Sequence, residues 1–214
     1  MIYDKVIDKL MGHYTGPEYR DEVVQAKKEF FEDAGLVGDE TFHFEVRMSQ
    51  FLDWYLFTRE LTDAHIPPVH LAFEDPPFQV DETERLHLQN LVRGKHSLYE
   101  YIKTKGNTVY VKDLFENKKV ILENSHVTSG FNTDEVFEAR VFPYEDTFVF
   151  SRGFCFHPAE AKSFILKEVK KVRHLDAVQK EALMFRLLKM RYKFEQYKHI
   201  RLDFIYTNDT KLRI

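Results

Sequence analysis

The sequence predicts an α+β fold in which helices at both ends flank a small antiparallel β-barrel, SH3-like or OB-like, of about five strands. Apolar residues recur at helical spacing before residue 95 and again after Pro158, whereas the segment between them alternates with the period of strands. We therefore expect a helical region at 1–95, a barrel-like unit at 96–157 and a basic helical arm at 158–214, packed as one compact body.

Glycines and prolines divide the N-terminal region into helices. The first helix is predicted to end at Gly12, and the second to begin near Pro17, which suits a first turn, and to end at Gly35. A third helix is predicted from about Asp39 to residue 57. It includes Trp54, which we expect to be a core aromatic whose N–H donates to a nearby carbonyl. Two further helical segments are predicted at 69–73 and 81–93.

The central region contains five short apolar segments separated by turn residues. Gly106-Asn107 and Glu116-Asn117 stand between consecutive segments and suit tight turns. Short strands at such close spacing are typical of a small barrel or a strongly curled sheet. The strands are predicted at 98–103, 109–112, 120–123, 136–142 and 148–151.

The C-terminal region returns to the helical period. One helix is predicted over 164–172, and Asp176 is a suitable N-cap for a second helix that runs to about Lys198. Residues 202–206 are predicted to form a last strand.

The composition of the 214 residues is that of a globular chain, with 43% hydrophobic and 31% charged residues. Cys155 is the only cysteine, so no internal disulfide can form and a reducing compartment is favoured. Charges interrupt the first residues where a signal peptide needs an apolar run, and no apolar stretch has the length of a membrane span. We therefore expect a cytoplasmic protein without a membrane partner.

Charge is distributed unevenly along the chain. Residues 162–201 carry 12 Lys or Arg and 4 Asp or Glu, although the whole chain has a net charge of −4. This basic arm can follow a phosphate backbone or dock on the acidic remainder of the chain, and the sequence leaves both interpretations open. The predicted basic face consists of Lys167, Lys170, Lys171, Arg173, Arg186, Lys189 and Lys193.

Residue patterns for catalysis or metal binding are weak. Cys155 and His157 would lie on the same side of a strand, as a thiolate–imidazole pair requires, but a buried cysteine beside a strand-end histidine is the favoured interpretation. The ten histidines lack His-x-x-x-His spacing, so we predict no metal and no cofactor. A hydrolase or nuclease would require Asp113, Glu123 or His126 to converge in one cleft.

The sequence contains the short motifs Phe51-Leu52-Asp53-Trp54-Tyr55-Leu56-Phe57, Ser97-Leu98-Tyr99-Glu100, Asp113-Leu114, Ala139-Arg140 and Gly153-Phe154. In this order they resemble a group of uncharacterised bacterial proteins, some of which carry a SEC-C zinc motif. The resemblance covers about residues 45–158 and implies a shared fold unit and a bacterial origin. The zinc motif cannot be present with Cys155 alone, and the group transfers no catalytic residue because it has no established activity. We expect Asp113 and Arg140 to pair across neighbouring strands.

Function is not determined by any one of these patterns. We expect a non-enzymatic binding or adaptor protein whose partner is another protein, since the residues for catalysis are not grouped and the charge is segregated. The alternative is a nucleic-acid-binding protein that uses the basic C-terminal helices and the barrel. A third hypothesis is an unrecognised hydrolase or nuclease. No pattern indicates the oligomeric state.

Overall fold

The protein is described by a computed structural model that covers residues 1–35 and 44–209. It has the predicted α+β architecture, with the strands in the centre and helices at both ends. The helices are α1 (Asp4–Tyr14), α2 (Arg20–Ala34), α3 (Phe44–Phe57), α4 (Pro68–Glu74), α5 (Glu82–Val92), α6 (Lys162–Val172) and α7 (Ala177–Gln196). The strands are β1 (Lys95–Lys105), β2 (Thr108–Asp113), β3 (Lys118–Leu122), β4 (Val136–Tyr144), β5 (Thr147–Phe150) and β6 (Cys155–Phe156).

The sheet is antiparallel, and its strands lie in the order β3-β2-β1-β4-β5, with the short β6 also paired to β4. The ladder between β1 and β2 shifts register between Tyr101 and Lys103, which bends the long central strand. The resulting curl brings the edge strands β3 and β5 together, where the Thr147 hydroxyl accepts from the Glu123 N–H at 2.8 Å. The sheet is therefore a half-barrel.

The inside of the half-barrel is packed with aromatic and branched side chains. Tyr99, Phe137 and Phe150 are fully buried, and the ring centroids of Phe137 and Phe150 lie 6.0 Å apart. Alternate residues of β2, Val109 and Val111, face the same interior. Some of the protein's many aromatic residues therefore form this core, and a larger group packs among α1 to α5.

The helices cover the outer surface of β1, β4 and β5. Phe142 of β4 packs among α1, α3, α4 and α5, and Val136 of the same strand packs among α6 and α7. β4 is consequently buried on both faces, and its outward residues Glu138 and Arg140 lie between these two apolar contacts. Charged side chains in that position need partners from the helices.

The basic C-terminal arm docks on the body of the protein. Leu187 and Leu188 of α7 are buried, and α7 packs against α2 and α6. Asp176 is the N-cap of α7, as predicted, and accepts a hydrogen bond from the Gln179 N–H at 2.9 Å. The sequence alone did not decide whether the basic arm docks on the rest of the chain or binds a phosphate backbone.

Several predicted element boundaries are confirmed, and two predictions are wrong. Gly35, with a φ of 100°, follows the last residue of α2 as expected. α1 does not end at Gly12 but continues to Tyr14, because the buried Tyr14 ring adds one more apolar contact to the helix. The predicted strand at 202–206 is instead a 3-10 turn, Leu202–Phe204. The predicted start of the third helix near Asp39 lies outside the described residues.

Candidate functional site

Two residues of the predicted basic face are engaged by one buried carboxylate. Arg186 of α7 and Lys171 of α6 donate to Glu168, each at 2.5 Å. Burial opposes ionisation of Glu168, but hydrogen bonds from Lys171, Asn208 and Arg186 outweigh it and hold the pKa of Glu168 below its ordinary value. Arg186 therefore links α7 to α6, whereas the contact of Lys171 lies within α6.

The other residues of the predicted basic face are spread over the two helices. Lys189 donates to the main-chain oxygen of Glu32 at 3.1 Å, which links α7 to α2, and Lys193 is half-buried. Arg173 lies at the end of α6 beside His174. Lys167 and Lys170 are exposed on α6. The seven residues thus combine helix docking with a small exposed group on α6, and a role in binding nucleic acid stays a prediction.

A second basic surface lies on the part of the sheet that the helices leave open. Val109 and Val111 point into the half-barrel, so Thr108, Tyr110 and Lys112, which alternate with them along β2, point outward. The register aligns Tyr110 with Lys103 on β1 and with Ile121 on β3. We call this surface the lysine–tyrosine face; its residues are Lys103, Lys105, Tyr110, Lys112, Lys119 and Ile121.

Tyr110 lies at the centre of the lysine–tyrosine face. The ammonium groups of Lys103 and Lys119 lie 5.1 Å and 4.6 Å from the centroid of its ring. These distances fall within the range of a cation–π interaction. An aromatic ring surrounded by lysines on an open sheet suits a ligand that has both flat rings and negative charges.

The alternation of residues along the strands is the sequence signal for this surface. Lys103 and Lys105, like Tyr110 and Lys112, are separated by one residue and therefore share a side of their strands. The charge count over residues 162–201 favoured the arm because its basic residues fall within one segment of the chain, whereas the lysines of the face come from three strands.

A buried polar cluster joins α3 to the sheet. Arg140 of β4 donates from Nε to Asp53 Oδ2 at 2.8 Å and from a terminal nitrogen to the Thr58 hydroxyl at 2.5 Å. The expected pairing of Arg140 with Asp113 is wrong, because Arg140 points out of the half-barrel toward α3. Asp113 instead accepts hydrogen bonds from Ser97 Oγ and from two main-chain N–H groups of the following turn.

A small cavity adjoins this cluster between α3, α7 and the sheet. It has a volume of about 20 Å³, and His96 and Glu138 line it, with 2.9 Å between His96 Nε2 and Glu138 Oε1. Trp54 lines the same cavity, and its indole N–H donates to Glu181 Oε1 at 2.8 Å rather than to the carbonyl expected from the sequence. The cavity is thus formed by charged and aromatic groups together.

The cysteine and the nearby histidine do not form a catalytic pair. Burial raises the pKa of the Cys155 thiol well above its ordinary value, so the sulfur remains protonated. His157 is also buried, and its Nδ1 lies 3.1 Å from the Tyr206 hydroxyl. Burial, with the nearby Arg191 charge, lowers the pKa of His157 to about 3. Both side chains are interior groups, as the favoured interpretation proposed.

The residues considered for a hydrolase or nuclease are only partly brought together. Glu123 and His126 line one surface cleft of about 260 Å³, with Asp146 on its wall, whereas Asp113 does not line it. Within residues 1–35 and 44–209, no group of three or more His, Cys, Asp or Glu side chains is placed to hold a metal ion. Of the helices described, none combines the length and the apolar content needed to cross a bilayer.

The fold and these surfaces define an α+β protein with a half-barrel whose open face carries lysines around a tyrosine. The chain belongs to the Family of unknown function (DUF7986), whose model matches residues 4–203. This match confirms the expectation of a family without an established function and extends it well beyond residues 45–158. No curated protein and no solved structure gives a significant match.

Proposed function

We propose that this chain is a non-enzymatic binding protein that holds single-stranded nucleic acid on the lysine–tyrosine face. The observation that carries the proposal is the position of Tyr110, whose ring lies between the ammonium groups of Lys103 and Lys119 on the open part of the sheet. Proteins that bind single strands combine lysines that follow the phosphates with aromatic rings on which bases stack.

The positions of the lysines favour ligand binding over a purely structural role. Lysines on an edge strand discourage pairing with other sheets, and this accounts for Lys119 on β3. Lys112 lies on β2, which is paired there with both β1 and β3 and needs no such protection, whereas Lys103 and Lys105 lie on the end of β1 that pairs with β2 alone. Glu100, the carboxylate beside Lys112 on this side of the sheet, is already paired with Lys162 at 2.8 Å.

The strand that bears Tyr110 supports the proposal by analogy of fold. In OB-folds, which are partly open five-stranded antiparallel barrels, oligonucleotides bind across the face of strands 2 and 3. Tyr110, Lys112 and Lys119 lie on β2 and β3 of this half-barrel. This analogy concerns the fold alone, so the binding itself needs a direct measurement.

The direct test is fluorescence anisotropy with labelled oligo(dT), oligo(U) and a duplex of equal length, at several salt concentrations. Four lysine–phosphate contacts on a single strand give a slope of about −3 in log K against log salt. Loss of a stacking ring costs about 1–3 kcal/mol, so Tyr110→Ala is expected to weaken binding about 5- to 150-fold. Lys112→Gln with Lys119→Gln is expected to flatten the salt slope.

The matched control is the double variant Lys167→Gln with Lys170→Gln, which removes two exposed lysines from α6 instead. It is expected to bind as the wild type does. If this control loses affinity while the Tyr110 and Lys112/Lys119 variants keep theirs, the nucleic-acid site is the predicted basic arm. Equal affinity of all variants, or no binding of any oligonucleotide, overturns the proposal.

A protein partner is the second candidate, and one surface feature favours it. Leu175 and Val178, in the turn from α6 and at the start of α7, are 47% and 69% exposed. Exposed apolar side chains at such a tip are suited to a protein contact. A pull-down from extract, divided into nuclease-treated and untreated halves, distinguishes a protein partner from a nucleic-acid partner. Stoichiometric capture of one protein in both halves supports the protein partner.

The proposed setting is the cytoplasm of a bacterium. A single buried thiol suits a reducing compartment, and the sequence motifs resemble bacterial proteins.

A further inference from the structure

A cavity of about 130 Å³ lies between α1, α3 and the loop that joins β5 to β6. In another protein, a cavity of about 150 Å³ with walls of Leu, Ile and Phe holds one benzene molecule, so this volume has room for one small ring. We call it the α1–α3 cavity. Its apolar lining consists of Met1, Ile7, Met11, Leu52, Leu56 and Phe57.

The α1–α3 cavity has a closed floor and an open mouth. Ile7 and Leu56 are buried, whereas Met11 and Leu52 are half-buried. Two of the five methionines of the chain line the cavity, and methionine side chains are flexible enough to adapt to ligands of varied shape. The walls therefore suit an organic molecule better than a cluster of water molecules.

Two polar side chains that line the α1–α3 cavity have unused hydrogen-bonding capacity. Ser151 and Asp53 are only 2% and 7% exposed. The Ser151 hydroxyl accepts from the Gly153 N–H at 3.3 Å, and no described residue accepts the hydroxyl proton. Asp53 Oδ2 accepts from Arg140 Nε at 2.8 Å, whereas Oδ1 has no hydrogen-bond partner among the described residues. Oδ1 is nevertheless not sealed off by the fold, so a small group can reach it.

The sizes of the neighbouring cavities decide where an organic group can contact these residues. Asp53 and Gly153 line both the α1–α3 cavity and the small cavity beside Trp54. The small cavity, at about 20 Å³, has room for one water-sized group only. Ser151 lines the α1–α3 cavity and not the small one. An organic ligand that contacts both Ser151 and Asp53 therefore lies in the α1–α3 cavity.

The charges of the lining favour a neutral ligand. Asp53 is paired with Arg140 at 2.8 Å, and the half-exposed Arg152 is paired with Asp4 at 2.6 Å. Both charged side chains of the lining thus have a partner of opposite charge. The free groups are one donor, the Ser151 hydroxyl, and one acceptor, Asp53 Oδ1. A ligand hydroxyl satisfies both, because a hydroxyl donates and accepts.

We propose that the α1–α3 cavity binds a small neutral molecule with one hydroxyl on an apolar body, the class to which phenol belongs. The ligand hydroxyl donates to Asp53 Oδ1 and accepts from the Ser151 hydroxyl. The apolar body packs against the methionine and leucine side chains of α1 and α3. This site is separate from the lysine–tyrosine face, so each proposal stands or fails without the other.

The test follows the ¹³C-labelled methionine methyl groups of the full-length protein during titration with phenol. Benzene, which lacks the hydroxyl, and benzoate, which adds a negative charge, are titrated in parallel. Phenol is expected to shift the Met11 signal saturably and to leave that of Met190 on α7 in place. It is expected to bind at least about tenfold more tightly than benzene, because a hydrogen bond to an ionised carboxylate is a strong one. No saturable shift of Met11, or binding of benzene or benzoate as tight as that of phenol, overturns the proposal.

A serine variant tests the hydroxyl contact. Ser151→Ala is expected to weaken phenol binding at least about fivefold and to leave benzene binding unchanged, a difference that a general loss of structure does not produce. The matched control is Ser125→Ala, another buried serine whose hydroxyl bonds within its own loop, and it is expected to bind phenol as the wild type does.

A second variant covers the case in which Ser151→Ala does not fold. Leu52→Phe narrows the half-buried mouth of the α1–α3 cavity and is expected to weaken the binding of both phenol and benzene. Unchanged phenol affinity in folded Ser151→Ala or in folded Leu52→Phe overturns the proposal.

Discussion

Asp53 on α3 and Arg140 on β4 form a buried ion pair, with 2.8 Å between Oδ2 and Nε and with both side chains more than nine-tenths buried. The Arg140 guanidinium also lies 5.4 Å from the centroid of the Phe57 ring. The pair therefore fixes the position of α3 on the outer surface of the sheet. It lies between the apolar contact of Phe142 with the N-terminal helices and that of Val136 with α6 and α7.

Removing one charge of this pair leaves the other buried without a partner. We expect Asp53→Asn to lower the free energy of unfolding by about 3–5 kcal/mol, because the Arg140 charge is then uncompensated. Urea denaturation measures the change. The control is Asp203→Asn, which removes one partner of the exposed Arg201–Asp203 pair and is expected to cost less than about 1 kcal/mol. Equal costs for the two variants contradict this prediction.

Gly153 permits the closest approach between the loop after β5 and α3. A Cβ at this position would lie 2.9 Å from the Asp53 Cβ and 3.3 Å from the Ser49 main-chain oxygen. We expect Gly153→Ala to destabilise the protein by about 1–3 kcal/mol through overpacking. Thermal unfolding measures the change.

Gly12 supplies the matched control for that substitution. It lies inside α1, and a Cβ there would meet no atom within 4 Å. Gly12→Ala is therefore expected to stabilise the protein by about 0.5–1 kcal/mol. A loss of stability in both variants would show that the close approach at Gly153 is not the cause.

His157 makes stability depend on pH. Its ordinary pKa is 6.5 and burial lowers the pKa in the folded protein to about 3, so between these values only the unfolded chain binds the proton. Stability from this residue is complete above pH 6.5 and is lost as the pH falls toward 3, by up to about 1.4 kcal/mol per pH unit. Urea denaturation at pH 7, 6, 5 and 4 measures this slope.

The comparison for this slope uses two histidine variants. His157→Gln is expected to be less stable at pH 7, because the contact with Tyr206 is weakened, but to lose stability less steeply below pH 6.5. His199→Gln, at an exposed position, is expected to keep the wild-type slope. A wild-type slope in His157→Gln assigns the pH dependence to other groups.

Cys155 is expected to resist alkylation while the protein is folded. Its thiol is buried and its pKa is raised by that burial, so both access and thiolate are lacking. Mass spectrometry after iodoacetamide treatment should show less than about a tenth of the labelling seen in urea. Since Cys155 is the only cysteine, the mass increase from one alkyl group shows that it has reacted. Rapid labelling of the folded protein would refute its interior position.

Local patterns were sufficient to predict most of the elements. Gly106 and Asn117 have φ values of 58° and 57°, and both stand in the predicted turns between strands. The strand predicted at 202–206 failed because the main-chain N–H groups of Ile205 and Tyr206 both donate to the Leu202 carbonyl at 2.8 Å, which closes a turn. The apolar character of these residues predicts burial but does not distinguish a strand from such a turn.

The sites depended on contacts between distant residues, which the sequence pattern does not encode. Asp53 and Arg140 lie 87 residues apart, and the choice between Asp53 and Asp113 as the partner of Arg140 is decided by which face of β4 the helices cover. The lysine–tyrosine face likewise exists only after three strands are aligned in register. A count of charges along the chain detects basic residues only where they lie in one segment, so it favoured the C-terminal arm.

The separation of Asp53 from Arg140 also matters during synthesis of the chain. A ribosome adds about 5–20 residues per second, so α3 exists for several seconds before its arginine partner is made. During that interval the nascent helix carries an apolar surface and a carboxylate without the sheet that later covers them. The N-terminal helices therefore cannot reach their final packing until β4 has left the ribosome, and chaperones that shield nascent chains have access to residues 44–57 during that time.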